Sequence, residues 1–299
     1  MKKHFFLVLT LGFLTAVQVM AQEDTTTYKP VELPAGFTSQ MNVTYTGGKG
    51  WEKQMDIYLP PNQGKPTPVV INIHGGGWAR GVRQSQTGFN SFFKMGFAVA
   101  NISYRLTPEA TAPAAVEDAR CALIYLIKNA AALNIDVNRI VVMGGSAGGH
   151  LALMAGLLGN DRRFDGNCPY EGEVRVAAII DKYGITDVWD WGNGPVSSKS
   201  ASRWLGTKAT DQKFAMSVSP INYVSKNSPP VFIVHGDADP VVPYRQSVDL
   251  HKKLLEAGVK TEFVTIPGGQ HGKFSREEAS ELSKKIVAFI KELGIAEGK

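Results

Sequence analysis

Cysteine is almost missing from this sequence: its 299 residues include two, Cys121 and Cys168. Neither has a second Cys or a His at metal-ligand spacing, which excludes a structural zinc site, and no metal or other cofactor is expected. Cys121 falls on the apolar face of a predicted helix, so a free buried thiol is the expectation there. Runs of Lys and Arg are absent too, and the net charge is only +5, which argues against a nucleic-acid partner. There is no internal repeat and no low-complexity segment. Nor is any apolar run long enough for a bilayer. The longest, Phe5 through Met20, follows Met1-Lys2-Lys3-His4 and ends at Val19-Met20-Ala21, just before the polar Gln22-Glu23-Asp24. That pattern predicts a secretory signal over residues 1–21, a periplasmic or secreted product, and no stable membrane insertion after cleavage. Removing the signal takes away two lysines and no acids, and lowers the net charge from +5 to +3. A chain of this length can bury one large α/β core.

The most informative stretch is Arg139-Ile140-Val141-Val142-Met143-Gly144-Gly145-Ser146-Ala147-Gly148-Gly149-His150. A short β-branched run ends in glycines around one serine, and an Ala/Leu-rich segment with good helix propensity follows. Strand, tight turn and helix place Ser146 at the tip of the turn. The spacing Gly144-x-Ser146-x-Gly148 is that of a nucleophile elbow. The helix behind it directs free N–H groups and a positive dipole end towards any oxyanion formed there.

The rest of the chain alternates. Residues 22–39 form a polar, proline-containing leader, expected to be exposed. Met41–Tyr45 and Gln54–Leu59 are predicted as antiparallel edge strands, and Pro68–Ile73 as a buried central strand that runs into His74-Gly75-Gly76-Gly77-Trp78. Further strands are predicted at Phe97–Tyr104, Val176–Tyr183, Pro230–Val234 and Thr261–Ile266, with helices at Ala112–Leu133, Gln246–Ala257 and Glu277–Leu293. This order predicts an α/β fold with a mostly parallel sheet covered on both faces, the domain occupying residues 40–299. Residues 185–229 break the rhythm and are expected to form an inserted lid. Of its tryptophans Trp189, Trp191 and Trp204, two are expected to make the lid's own core and one, Trp191, to face the cleft and stack on a planar acid or a sugar ring.

A serine needs an imidazole to take its proton, and the imidazole needs a carboxylate to hold its tautomer. Of the six histidines, His271 stands just past a strand end, after Ile266-Pro267-Gly268-Gly269-Gln270, in a loop free to bend towards the crevice. His74 reads as a scaffold residue of the glycine loop, and His251 as a solvated or partly packed helix residue. Asp237 and Asp239 both follow the strand that ends near His235, and periodicity does not choose between them; the other is expected to be a turn residue bonding its own backbone. The N–H groups of Gly76, Gly77 and Ala147 are candidates for an oxyanion hole, because glycines let the backbone approach a substrate.

With these residues in place, the sequence resembles the α/β-hydrolase superfamily over nearly the whole mature chain. His74-Gly75-Gly76-Gly77-Trp78 looks like the oxyanion loop of the hormone-sensitive-lipase-like and feruloyl-esterase-like carboxylesterases. His235-Gly236-x-x-Asp239-x-x-Val242-Pro243 is similar to their acid loop, and that resemblance gives the acid role to Asp239. It implies a serine esterase with Ser146 as nucleophile, His271 as base and then acid, and Asp239 as orienting carboxylate. Trp78 joins Trp191 as an expected substrate contact. The expected activity is removal of feruloyl groups from plant cell-wall polysaccharides or oligosaccharides, with acetyl (xylan) esterase as the alternative. A peptidase or an aryl formamidase of the same fold, and a binding protein that has lost activity, are further alternatives. The chain departs from lipases in lacking an amphipathic, strongly apolar lid helix.

Overall fold

The computed structural model describes residues 27–296 except Pro108 and Val196; the expected signal over residues 1–21 lies outside the described residues. Eight strands form one sheet: β1 (Thr38–Gly48), β2 (Trp51–Leu59), β3 (Thr67–Ile73), β4 (Ala98–Ile102), β5 (Ile135–Gly145), β6 (Ala178–Lys182), β7 (Val231–Gly236) and β8 (Thr261–Ile266). Their order is β1-β2-β4-β3-β5-β6-β7-β8. β1 and β2 pair antiparallel, as do β2 and β4, and every pairing from β4 to β8 is parallel. β2 is therefore hydrogen-bonded on both sides, and of the two predicted edge strands only β1 is one.

The helices are α1 (Asn90–Lys94), α2 (Ala114–Lys128), α3 (Ala130–Leu133), α4 (Ala147–Leu157), α5 (Val188–Asn193), α6 (Lys199–Leu205), α7 (Gln212–Ser217), α8 (Arg245–Glu256) and α9 (Arg276–Glu292). β3 explains the layering. Its side chains alternate between faces. Val69, Ile71 and Ile73 join one core cluster with residues of α2 and α4, while Val70 joins another with Phe92 and Phe93 of α1 and Phe289 and Ile290 of α9. A parallel sheet buried on both sides needs this double supply of apolar residues. α4 is buried along its whole length, as a helix apolar on every side must be. This is the α/β-hydrolase arrangement that the motifs imply.

Three further expectations change, and residues 185–229 gain internal order. The single helix foreseen over Ala112–Leu133 is two, α2 and α3, which meet at Asn129, whose side-chain amide also donates to the Tyr125 carbonyl at 2.8 Å. The leader is not simply exposed: Val31, Leu33 and Phe37 pack on the second cluster, with the Phe37 ring 5.0 Å from Phe93. Residues 185–229 carry three short helices, α5 to α7, whose Asp187, Ser198 and Asp211 side chains accept from the first-turn N–H groups. Finally, Cys121 is not a free thiol. It is bridged to Cys168, 47 residues away, with 5.5 Å between the Cα atoms. The loop carrying Cys168 is held against α2 by the fully buried Arg120, which donates to both oxygens of Asp165 at 2.8 Å, and the Cys168 N–H donates to the Asp165 carbonyl. A buried ion pair positions the second cysteine, and sequence spacing alone does not reveal it.

Candidate active site

Four loops at the carboxyl ends of β3, β5, β7 and β8 meet in one cleft, where the parallel topology directs them. Ser146 sits between β5 and α4 at φ 58° and ψ −124°, a conformation that non-glycine residues adopt only when the surroundings enforce it. The surroundings do. A Cβ at Gly144 would overlap the Gly148 carbonyl, and a Cβ at Gly148 would overlap the Ile73 carbonyl of β3. Glycine at both positions is what lets helix and strands close beneath the serine.

The Ser146 hydroxyl donates to His271 Nε2 at 2.8 Å, and His271 Nδ1–H donates to Asp239 Oδ2 at 2.7 Å. The last strand is at the sheet edge, so His271 must reach back across β7, and the two loops are stitched to let it. Ala238 N–H donates to the Gly269 carbonyl, and Gly268 N–H donates to Asp237 Oδ1 at 2.6 Å. Asp237 is therefore a clamp on the histidine loop rather than a turn residue bonded to its own backbone. Asp239 is fully buried in its side chain, and burial alone would raise its pKa. Donors from His235 and His271, with the Val241 N–H at 2.7 Å, outweigh that and hold the carboxyl well below the usual carboxylate range.

The remaining backbone donors are placed as a hole. Gly76 and Gly77 turn through φ of 117° and 60° on the cleft wall, and the N–H groups of Gly76, Gly77 and Ala147 donate to no protein acceptor among the described residues. Trp78 is not a substrate contact. The chain keeps a positive φ of 54° at this residue and turns the side chain out of the cleft. There it is fully buried, stacked on Trp204 at 4.2 Å, with Nε1–H donating to His150 Nδ1 at 3.3 Å. It joins α6 to the elbow helix α4. Trp191 does border the cleft, with its Nε1–H donating to the Val241 carbonyl at 3.1 Å. The cleft measures about 500 Å³.

The other histidines sort by burial. His74 stacks on Tyr104 at 4.3 Å, and His150 Nε2–H donates to the Val218 carbonyl at 2.7 Å. Burial lowers both to about 4, so both are neutral parts of the frame. His251 faces Thr261 Oγ1 at 3.2 Å, away from the cleft.

Two residues at the site were given no role from the sequence. His235 presents Nε2–H to Asp239 Oδ2 and to the Val242 carbonyl, both at 3.1 Å, while Nδ1 accepts from Ser247 at 2.8 Å. Its spacing of four from Asp239 in the acid loop was the available clue. Tyr183 has φ 46° and sets its ring 4.9 Å from that of His271, edge to face. Nothing in sequence marks a tyrosine as left-handed.

Comparison with known proteins agrees with this geometry. The chain is similar to Esterase LipC of Mycobacterium tuberculosis, 30% identical over 70% of this chain and 53% of that protein, and to an ethyl acetate hydrolase of Pseudomonas putida, 28% identical over 84% and 82%. It spans little more than half the length of three of the mycobacterial esterases it matches. Among solved structures, a truncated carbohydrate esterase from gut microbiota superimposes with a TM-score of 0.73 at 31% identity, over 91% of this chain and 98% of that one. The BD-FAE family model matches residues 55–254, which take in the oxyanion loop, Ser146 and Asp239 but stop short of His271. The fold supplies that histidine at hydrogen-bond distance, and the chain belongs to the BD-FAE family of α/β-hydrolases.

Proposed function

We propose that this protein is an exported serine carboxylesterase that removes feruloyl groups from plant cell-wall polysaccharides or oligosaccharides. The observation that carries the reading is the continuous chain Ser146–His271–Asp239 facing unpaired backbone donors. Ser146 Oγ attacks the ester carbonyl carbon while its proton passes to His271 Nε2. The carbonyl oxygen becomes an oxyanion within reach of the N–H groups of Gly76, Gly77 and Ala147. Asp239 keeps Nδ1–H of His271 in place and offsets the imidazolium charge. His271 then gives the proton to the departing alcohol oxygen, leaving an acyl-serine. Water repeats the sequence with His271 as base, and the free acid leaves.

The glycan part of the reading is supported by the likeness to the gut-microbial carbohydrate esterase. The aryl part is supported by a cleft of about 500 Å³, more room than an acetyl group needs, with Trp191 on its wall. Acetyl removal is the alternative, favoured by the likeness to the ethyl acetate hydrolase and by the burial of Trp78, which takes one of two expected aromatics out of the cleft. Hydrolysis of methyl ferulate and of an acetylated xyloside, measured side by side, decides between them. A ferulate preference of about tenfold, equal to about 1.4 kcal/mol, supports the aryl reading, and an acetate preference of that size sinks it. Export is tested by sequencing the N-terminus of protein recovered outside the cytoplasm: a start near Gln22 is expected, and retention of Met1 in a cytoplasmic product refutes it.

A further inference from the structure

Most deeply placed cations in this protein have a carboxylate. Arg83 meets Asp56 at 3.0 Å, Arg105 meets Asp118 at 2.8 Å, and Arg120 meets Asp165 at 2.8 Å. The active-site cleft is different. Lys182, Arg80 and Arg203 all border it, no Asp or Glu does, and none of the three side chains has a hydrogen-bond or ion-pair partner among the described residues.

Lys182 is the most telling of them. It ends β6 beside Gly145 in register, its carbonyl accepts the Ser146 N–H at 2.9 Å, and the half-buried residue lines the same cleft as the nucleophile. Its sequence neighbour Asp181 cannot neutralise it. Successive strand residues point to opposite faces, and Asp181 lies fully buried against α4, accepting the Gly184 N–H at 3.1 Å. Asp239 is committed to two histidines and two backbone N–H groups. Burial accordingly pushes the Lys182 ammonium down from its ordinary value. Withdrawing a cation from water without a partner is costly, and a substrate anion would remove that cost.

The two arginines flank the oxyanion loop. The Arg80 side chain passes over Gly76, with Cγ 3.2 Å from where a Cβ would stand. Arg203 lies on α6, one turn beyond Ser200, whose hydroxyl lies 3.3 Å from the corresponding point at Gly77. Both arginines are exposed, so they attract an anion at the mouth while Lys182 can bind it inside.

We propose that the ester accepted by this cleft carries a carboxylate, held by Lys182 beside the reacting carbonyl, with Arg80 and Arg203 drawing it in. This rests on the esterase reading above and names its substrate class. The carboxylate can belong to the alcohol side, as a uronate of the glycan, or to the acyl side, as the free end of a dicarboxylic monoester.

The test compares two matched pairs on the full chain: an O-acetylated methyl glucuronide as free acid against its uncharged amide, and 4-nitrophenyl hemisuccinate against 4-nitrophenyl butyrate. In one pair the anionic ester should show about a tenfold higher kcat/KM, the scale of a hydrogen bond to a charged group. That preference should fall to roughly threefold or less in Lys182→Met, persist in Lys182→Arg, and shrink for the wild type as salt rises from about 0.05 to 0.5 M. The salt series needs no variant to fold. Preference in the first pair assigns the carboxylate to the glycan, and in the second to the acyl group. Equal or faster turnover of the neutral ester in both pairs overturns the proposal, as does a preference that neither salt nor Lys182→Met changes. Hydrolysis of none of the four by wild type overturns the esterase reading itself, and the acidic substrate with it.

Discussion

The two walls of the cleft are built on opposite terms. On the wall of Ser146, His271 and Asp239 every side-chain polar atom has a protein partner, down to a second histidine on the acid and a clamp on the histidine loop. On the wall of Lys182, Arg80 and Arg203 no side chain has a hydrogen-bond or ion-pair partner among the described residues. The satisfied wall is preorganised before any substrate arrives, and so can serve one reaction on many esters. The unsatisfied wall is complete only with a ligand, and so selects among esters. What a site does chemically is read from the bonds it has made, and what it accepts from the bonds it still lacks.

If that contrast holds, damage to the satisfied wall destroys turnover of every ester alike. Ser146→Ala should lower kcat on the order of a millionfold for charged and neutral esters together; an unchanged fold by circular dichroism with more than trace activity would break the comparison. Asp239→Asn should cost on the order of ten-thousandfold through the wrong tautomer of His271. Asp237→Asn, which removes charge from a clamp and not from the relay, should stay within about tenfold, so similar losses in the two variants would reverse the assignment of the acid.

Stability should follow the buried frame behind that wall. The folded values of His74 and His150, about 4, lie below their ordinary 6.5. As pH falls, the unfolded chain therefore takes up protons first. Their contribution is complete above about pH 6.5 and is lost on the way down to about 4, on the order of 3 kcal/mol for each. Asp239, held low by its donors, adds a further loss below about pH 4. Thermal melts at pH 7.5 and 4.5 should show a marked drop, and equal melting temperatures would mean that the two histidines are not buried neutral.

The satisfied wall was legible in sequence and the other was not, for a physical reason. Gly144, Ser146 and Gly148 are fixed by local backbone geometry, and Gly76 and Gly77 by a local loop, so each leaves a short motif. Choosing Asp239 over Asp237 already needed a family resemblance, because both follow the same strand end. Trp78 was misplaced because its destination depends on a stack with Trp204, on a helix more than a hundred residues later. The Cys121–Cys168 bridge depended in the same way on the distant Arg120–Asp165 pair. Lys182 is invisible for a further reason: a sequence can list a cation, but only a fold can show that nothing pairs with it.

A small effect is expected at His235, and it separates holding an acid from merely filling space. His235 donates to the same Asp239 oxygen that His271 uses, and Ser247 and the Val242 carbonyl fix its tautomer. Replacing it with Phe keeps a ring in a fully buried site but takes one donor from the carboxylate. The Asp239 pKa should then rise, and His271 should be held less firmly. A loss of about tenfold in kcat, with KM little changed, is the scale of one hydrogen bond to a charged group. His235→Gln, which restores an N–H near the same place, should recover part of it. Full activity in His235→Phe would reduce this residue to packing, and leave Asp239 oriented by His271 and the backbone of its own loop alone.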